Sequence, residues 1–312
     1  MSKPYLNYQQ QIEKLTEQKG LIINDPAYAE EKLTNIGYFS LIGGYKDPFI
    51  NPMTRKYEQS TTFEDIVALY DFDKSLRILT LEYLFQIEQK IGQLIADSFC
   101  SKYGEQQKYY LSEASYTEAN SKQPAVRKLI KKLSWLANND TEHPYIVHQR
   151  NKYHNVPLWV TKNALSFGQL SKMYSLLKFQ QQSAVSKAYS NVSEKELIRY
   201  LNALTFFRNI CAHSERLFSH HMIQQDFPDK PLHEKLGIPK KGNKYIQGKQ
   251  DYFGLVIALR YLLPRQDFLV FKANLSRLIN TYTKANKRIT KNNLLEMMGM
   301  PENWEKLTRY KL

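Results

Sequence analysis

The sequence predicts an all-α fold. Apolar residues return every three or four positions through long stretches, serine-led capping boxes open two of them, and the strict apolar–polar alternation of strands is scarce. With 312 residues, 42% of them hydrophobic, the chain can bury a large core as one elaborated domain or two.

Taken in order, Leu76, Leu79, Tyr83, Ile87, Ile91 and Leu94 form one stripe, which predicts an amphipathic helix from about Phe72 to Phe99. His143, His148 and His154 follow in a polar segment, without the short paired spacing of zinc ligands, so no metal or other cofactor is expected there. Arg150, Asn151 and His154 stand just before Asn155 and Pro157, a turn-like context that predicts a surface loop. Ser166 with Gln169 marks a helix start that runs through Leu176 and Leu177. Ser193 with Glu196 repeats the signal and opens a long helix. On its wheel Ala203, Leu204, Phe206, Phe207, Ile210, Cys211, Leu217 and Phe218 fill an apolar arc, with Asn202, Asn209, His213 and Arg216 opposite.

Asp226 to Gly248 collects Pro228, Pro231, Gly237, Pro239 and Gly242 and reads as an ordered long loop or hinge. Phe253 to Leu263 is the most apolar run, but it contains Arg260 and stops at Pro264, so it predicts a core helix and not a membrane span. Met1 to Gln11 lacks the apolar stretch of a signal peptide. Two cysteines, Cys100 and Cys211, are too few for a disulfide scaffold or a thiolate metal site, and the expected setting is the cytoplasm. Cys211, on the apolar arc, is expected to pack and not to react. No glycine-rich phosphate loop of Walker type occurs.

The pattern richest in chemistry is Arg208, Asn209, Ile210, Cys211, Ala212, His213. Histidine titrates near neutrality and moves protons; arginine keeps its charge and forks onto phosphate oxygens. An Arg–Asn pair at this distance before a histidine arises by accident in roughly 2% of chains of this composition. Together the residue types suit cleavage of a phosphodiester. In an ideal helix, however, Arg208 and His213 point about 140° apart. Either the helix is distorted, or the arginine reaches round, or a second copy of the chain completes the site, and the last is the expectation. The plainer alternative is a solvated polar face with ordinary surface pairs at Glu215 and Arg216.

Charge supports a polyanionic partner. Forty-four Lys and Arg stand against 30 Asp and Glu, a formal +14, and residues 239–312 carry most of the excess. Lys240, Lys241, Lys244, Lys249, Lys284, Lys287, Arg288 and Lys291 lie there, and RNA is the partner such a region would attract. The residues expected to grip it are Arg216, Lys240, Lys241 and Lys244.

Arg208, Asn209 and His213 occupy the fixed places of the motif of HEPN ribonucleases, and the surrounding chain resembles the Abi-like abortive-infection family of AbiD and AbiF type. The segments that carry the resemblance are Lys3–Gln11, Leu33–Tyr45, Tyr70–Arg77, Pro157–Leu170 and Met298–Trp304. The resemblance implies a HEPN-type helical bundle with additional terminal helical elements: residues 1–60 as a family-specific segment, 61–225 as the core with the motif, and 226–312 as a loop plus basic helices. It also implies a phage-defence toxin cutting RNA without metal, as a homodimer with a composite site, restrained by a noncoding RNA or protein antitoxin. In that reading His213 is general acid or base, Arg208 stabilises transition-state charge and Asn209 orients. The competing function is a non-catalytic module that binds RNA or a regulatory RNA.

Overall fold

The computed structural model describes residues 4–312; Met1–Lys3, where the opening resemblance and the signal-peptide reading begin, lie outside the described residues. Two short helices, α1 (Tyr8–Glu13) and α2 (Pro26–Ile36), lead to the axis of the molecule, α3 (Phe63–Tyr103). It starts nine residues before the expected Phe72, because Thr62 and Asp65 cap it reciprocally. The Thr62 hydroxyl accepts from the Asp65 N–H at 3.3 Å, and the Asp65 carboxylate accepts from the Thr62 N–H at 2.9 Å. At 41 residues the helix is about 60 Å long.

Beyond it come α4 (Gln107–Tyr110), α5 (Gln123–Asn139), α6 (Pro144–Tyr153), α7 (Leu158–Thr161), α8 (Phe167–Leu176), α9 (Phe179–Ser186) and α10 (Glu194–Ala212). Then follow α11 (Pro231–Lys235), α12 (Tyr252–Leu262), α13 (Arg265–Ala285) and α14 (Lys291–Met297). Among the described residues the only sheet is a hairpin, β1 (Lys240–Lys241) with β2 (Lys244–Tyr245). The fold is all-α.

Helices α7, α8, α9, α10 and α13 pack on α3, and α10 also lies against α8 and α12. Every residue of α12 is buried, which is why its run reads as apolar throughout. Along the α3–α13 seam, Tyr83 meets Phe271 edge-on at 5.2 Å and Phe72 meets Tyr282 at 5.0 Å, pairs worth about 1 kcal/mol each beyond their buried area.

Two connections differ from expectation. Arg150 and Asn151 belong to α6, and His154 caps it in the left-handed conformation. The Arg150 guanidinium donates to the carbonyls of Ala137 and Asp140, so it ties the end of α5 to α6. The long loop Asp226–Gly248 holds α11 and the hairpin. It is anchored by the Lys230 ammonium on Glu196 at 2.8 Å and by His233, whose Nε2 bonds the Gly248 carbonyl at 3.0 Å.

Candidate functional site

Ser193 starts α10 with the capping box its spacing predicts: its N–H donates to Glu196 at 2.9 Å while its hydroxyl accepts from the Glu196 N–H at 3.3 Å. The helix runs through Arg208 and Asn209 and stops at Ala212, so His213 caps the helix and is not part of it. Ser214 takes a left-handed φ of +57°. The Glu215 N–H returns to the Ile210 carbonyl at 3.0 Å and the Ser214 N–H to that of Cys211 at 3.4 Å, a Schellman turn. Leu217 and Phe218 are buried as their apolar character predicts, but they reach the core beyond this turn and not along a continuing helix.

The turn is held from below by a carboxylate that spacing did not single out. Asp73, fully buried on α3, accepts from the Leu217 and Phe218 N–H groups at 3.0 and 2.7 Å, from the Tyr45 hydroxyl at 2.7 Å and from the Arg77 guanidinium at 2.6 Å. Arg77 donates in addition to the Glu215 carbonyl at 3.2 Å. A buried ion pair is stable only when its remaining hydrogen-bonding capacity is filled, and here the neighbours that fill it are the backbone just after His213. Asp73 and Arg77 lie in the Tyr70–Arg77 segment and Tyr45 ends the Leu33–Tyr45 segment. Those stretches therefore meet the motif in space and fix where the histidine stands.

His213 and Asn209 are exposed. His213 opens onto a cleft of about 390 Å³ that Phe39, Asp47, Arg216 and His220 also line. Arg208 lines a different cleft, of about 350 Å³, with Phe85, Glu88 and Lys162. The structure therefore does not bring Arg208 and His213 together within one chain. His213 shares the exposed side of α10 with Asn202, Phe206 and Asn209, while Arg208 lies off that side, as the 140° separation requires.

Arg208 Nε stands 3.8 Å from the Glu88 carboxylate, and neither atom has a hydrogen-bond partner. Burial pushes Glu88 above the ordinary carboxylate range, against the opposing pull of Arg208 and of the Phe167 N–H. The pair is loose, so Arg208 is held near Glu88 by charge and not by a fixed fork.

Arg216 donates to the Gly44 carbonyl at 2.8 Å and lies 3.5 Å from Asp47, so it is partly engaged. Burial would raise Asp47, but the hydrogen bond and charge of Lys46, then of Arg216, bring it below its usual value. His220 is the residue that sequence reading missed. It has no motif around it, and only the turn after α10 brings it back to the cleft. Its ring sits 5.0 Å from that of Phe206, and burial lowers its pKa from the ordinary histidine value.

Lys240, Lys241 and Lys244 are exposed on the hairpin, and Lys244 lines a shallow depression shared with Arg199 and Asn202 beside α10. Lys249 is buried on the Phe227 carbonyl and Asp229, and Arg288 is paired with Asp65 at 3.1 Å, so neither is free for a polyanion. Burial pushes the Cys211 thiol up to about 12, which makes it a packing residue and a poor nucleophile. Among the described residues no three His, Cys, Asp or Glu side chains are grouped to hold a metal ion, and no helix is long and apolar enough to cross a membrane.

One protein-family model, described as Abi-like protein, matches residues 31–219, more than half of the chain and the stretch that holds Tyr45, Asp73, Arg77 and the motif. No curated protein and no solved structure matches.

Proposed function

We propose that this chain, which belongs to the Abi-like protein family, is an endoribonuclease of HEPN type acting in abortive phage defence. The observation that carries the reading is an exposed imidazole, His213, fixed at a helix end by a hydrogen-bonded turn and facing a cleft that also holds Arg216 and His220.

In this reading the His213 imidazole removes the proton of a ribose 2′-hydroxyl, and the oxygen attacks the adjacent phosphorus. The bond to the 5′-oxygen breaks, and that oxygen leaves with a proton from a second acid. The products end in 2′,3′-cyclic phosphate and 5′-hydroxyl, and the step uses no metal. General acid–base help of this kind is worth roughly a hundred- to ten-thousandfold. Arginine charge stabilises the nonbridging oxygens, and Asn209, between the two clefts, orients the phosphate.

A second copy seated on the exposed strip Asn202, Phe206, Asn209 would place its own histidine across the strip and supply the acid. Lys240, Lys241 and Lys244 hold the strand by its phosphates. A toxin of this type needs restraint before infection, by a noncoding RNA or a protein antitoxin. The loose Arg208–Glu88 pair, turned away from His213, favours a second reading, in which the same face holds an RNA without cutting it.

Single-turnover assays separate the two. The His213→Ala protein should fold normally and leave RNA intact, while wild-type protein cuts RNA but not DNA and continues to do so in EDTA. Cutting by a well-folded His213→Ala protein would refute the assignment, and intact RNA with both proteins would support the binding module.

A further inference from the structure

Phe39 and Gly43 line both the histidine cleft and a second cavity of about 550 Å³ in the amino-terminal region, so the two adjoin. That volume is within the range of small-ligand sites. Its walls are aromatic and aliphatic, from Tyr38, Phe39, Ile42, Ile50 and Tyr57, and its rim carries Lys14, Lys19, Lys46 and Arg55.

Three features distinguish it from an ordinary surface dimple. Its charge is of one sign: no acidic side chain lines it, and Lys14, Lys19 and Arg55 have no ion-pair partner among the described residues; only Lys46 is engaged, with Asp47 at 2.7 Å. Next, Tyr57 lines the cavity although it is only 7% exposed, and its buried hydroxyl has no hydrogen-bond partner. Finally, Phe39 is 88% exposed at the junction of the two cavities, a large apolar ring left in water.

The backbone is shaped around the same place. Lys14–Gln18 and Phe39–Gly43 are both π-helical turns, a rare conformation that recurs at functional sites. Gly37, at φ +87°, ends α2 and aims the chain into the second of them. Arg55 is held at a left-handed φ of +58° by a turn in which its N–H donates to the Asn51 carbonyl at 2.9 Å.

We infer that this cavity binds an unpaired nucleobase of the RNA strand, next to the nucleotide whose phosphate lies in the His213 cleft. The inference rests on the endoribonuclease reading. A base stacks on an aromatic ring whatever its sequence, and Lys14, Lys19 and Arg55 neutralise the flanking phosphates. Basic residues of the amino-terminal segment, and not only those of residues 239–312, then hold substrate. The enzyme would select single-stranded RNA, because a base-paired nucleotide cannot enter.

The test uses full-length protein and a fluorescein-labelled, 2′-O-methylated single-stranded RNA, which binds but cannot be cut, followed by fluorescence anisotropy. Phe39→Ala changes an exposed residue, and loss of one stacked base should weaken binding roughly 5- to 150-fold. Lys19→Ala with Arg55→Ala should weaken it as well and reduce its salt dependence. Binding within twofold of wild type in both variants would overturn the inference. So would equal binding of duplex RNA, or tight binding of a free mononucleotide with none of the strand. Binding that depends on the cavity in a protein that cuts no RNA would leave the pocket standing and remove the nuclease reading. Cutting with unchanged binding and unchanged cut sites in the variants would do the reverse.

Discussion

At His213 a side chain is exposed for chemistry while the backbone N–H groups of His213, Ser214 and Glu215 are hydrogen-bonded in the turn. The turn after α10 requires a left-handed residue, and Ser214 occupies a position where glycine is the usual choice. A β-branched side chain is worse there: Ser214→Val should cost about 1–2 kcal/mol, read as a lower denaturation midpoint at unchanged slope. Asp73 is the stronger dependence. Asp73→Ala removes the acceptor of two backbone N–H groups, a tyrosine and an arginine, and leaves Arg77 buried without its counter-charge. We expect a loss of about 3–5 kcal/mol by chemical denaturation. RNA cleavage should fall at temperatures where the variant is still folded, since the position of His213 is loosened. Normal cleavage in that variant would mean that the turn does not position the imidazole.

Among the elements, α10 and the α11 segment are linked through one carboxylate, Glu196, which both caps the helix at Ser193 and receives Lys230. Ser193→Ala should therefore cost about 1 kcal/mol, near the middle of the range for a lost N-cap. His233, next to this link, is buried and neutral in the folded state, with Nδ1 accepting from the Lys230 N–H at 3.1 Å and Nε2 donating to the Gly248 carbonyl at 3.0 Å. Burial lowers its pKa, so below the ordinary histidine value of 6.5 the unfolded chain takes up a proton that the folded chain refuses. The stability it contributes is complete above pH 6.5 and is lost as pH falls toward the folded pKa, by at most about 1.4 kcal/mol per unit. Melting temperature against pH should fall less steeply below 6.5 in His233→Asn than in wild type; parallel curves would show that His233 does not carry the effect.

For the whole molecule, the relevant feature is how charge is distributed over a helical body built on α3. Some lysines of the basic carboxy-terminal region are consumed internally, Lys249 most clearly, while the hairpin lysines and the amino-terminal cavity remain open. RNA affinity should decline steeply with salt. Replacing Lys240, Lys241 and Lys244 together with alanine should flatten the log–log slope by about two if each neutralises one phosphate of a single strand. An unchanged slope would take the hairpin out of the interface.

The all-α class, the starts of α8 and α10, the buried character of α12 and the packing of Cys211 were legible in the sequence, because capping pairs and the 3.6-residue period are local properties. So was the separation of Arg208 from His213, which follows from helix geometry alone. The early start of α3 was missed because its capping partner is an aspartate, outside the Glu or Gln pattern. The end of α10 escaped because Ser214 gives no glycine signal. What tertiary structure alone decided is the company each residue keeps. His220 returns to the cleft of His213, Asp73 reaches across more than a hundred residues to the turn beyond the motif, and the first 57 residues contribute a basic, aromatic cavity beside it. Spacing along a chain sets which residues share a helix face, but which faces meet is set by burial of the whole core, and no local pattern encodes that.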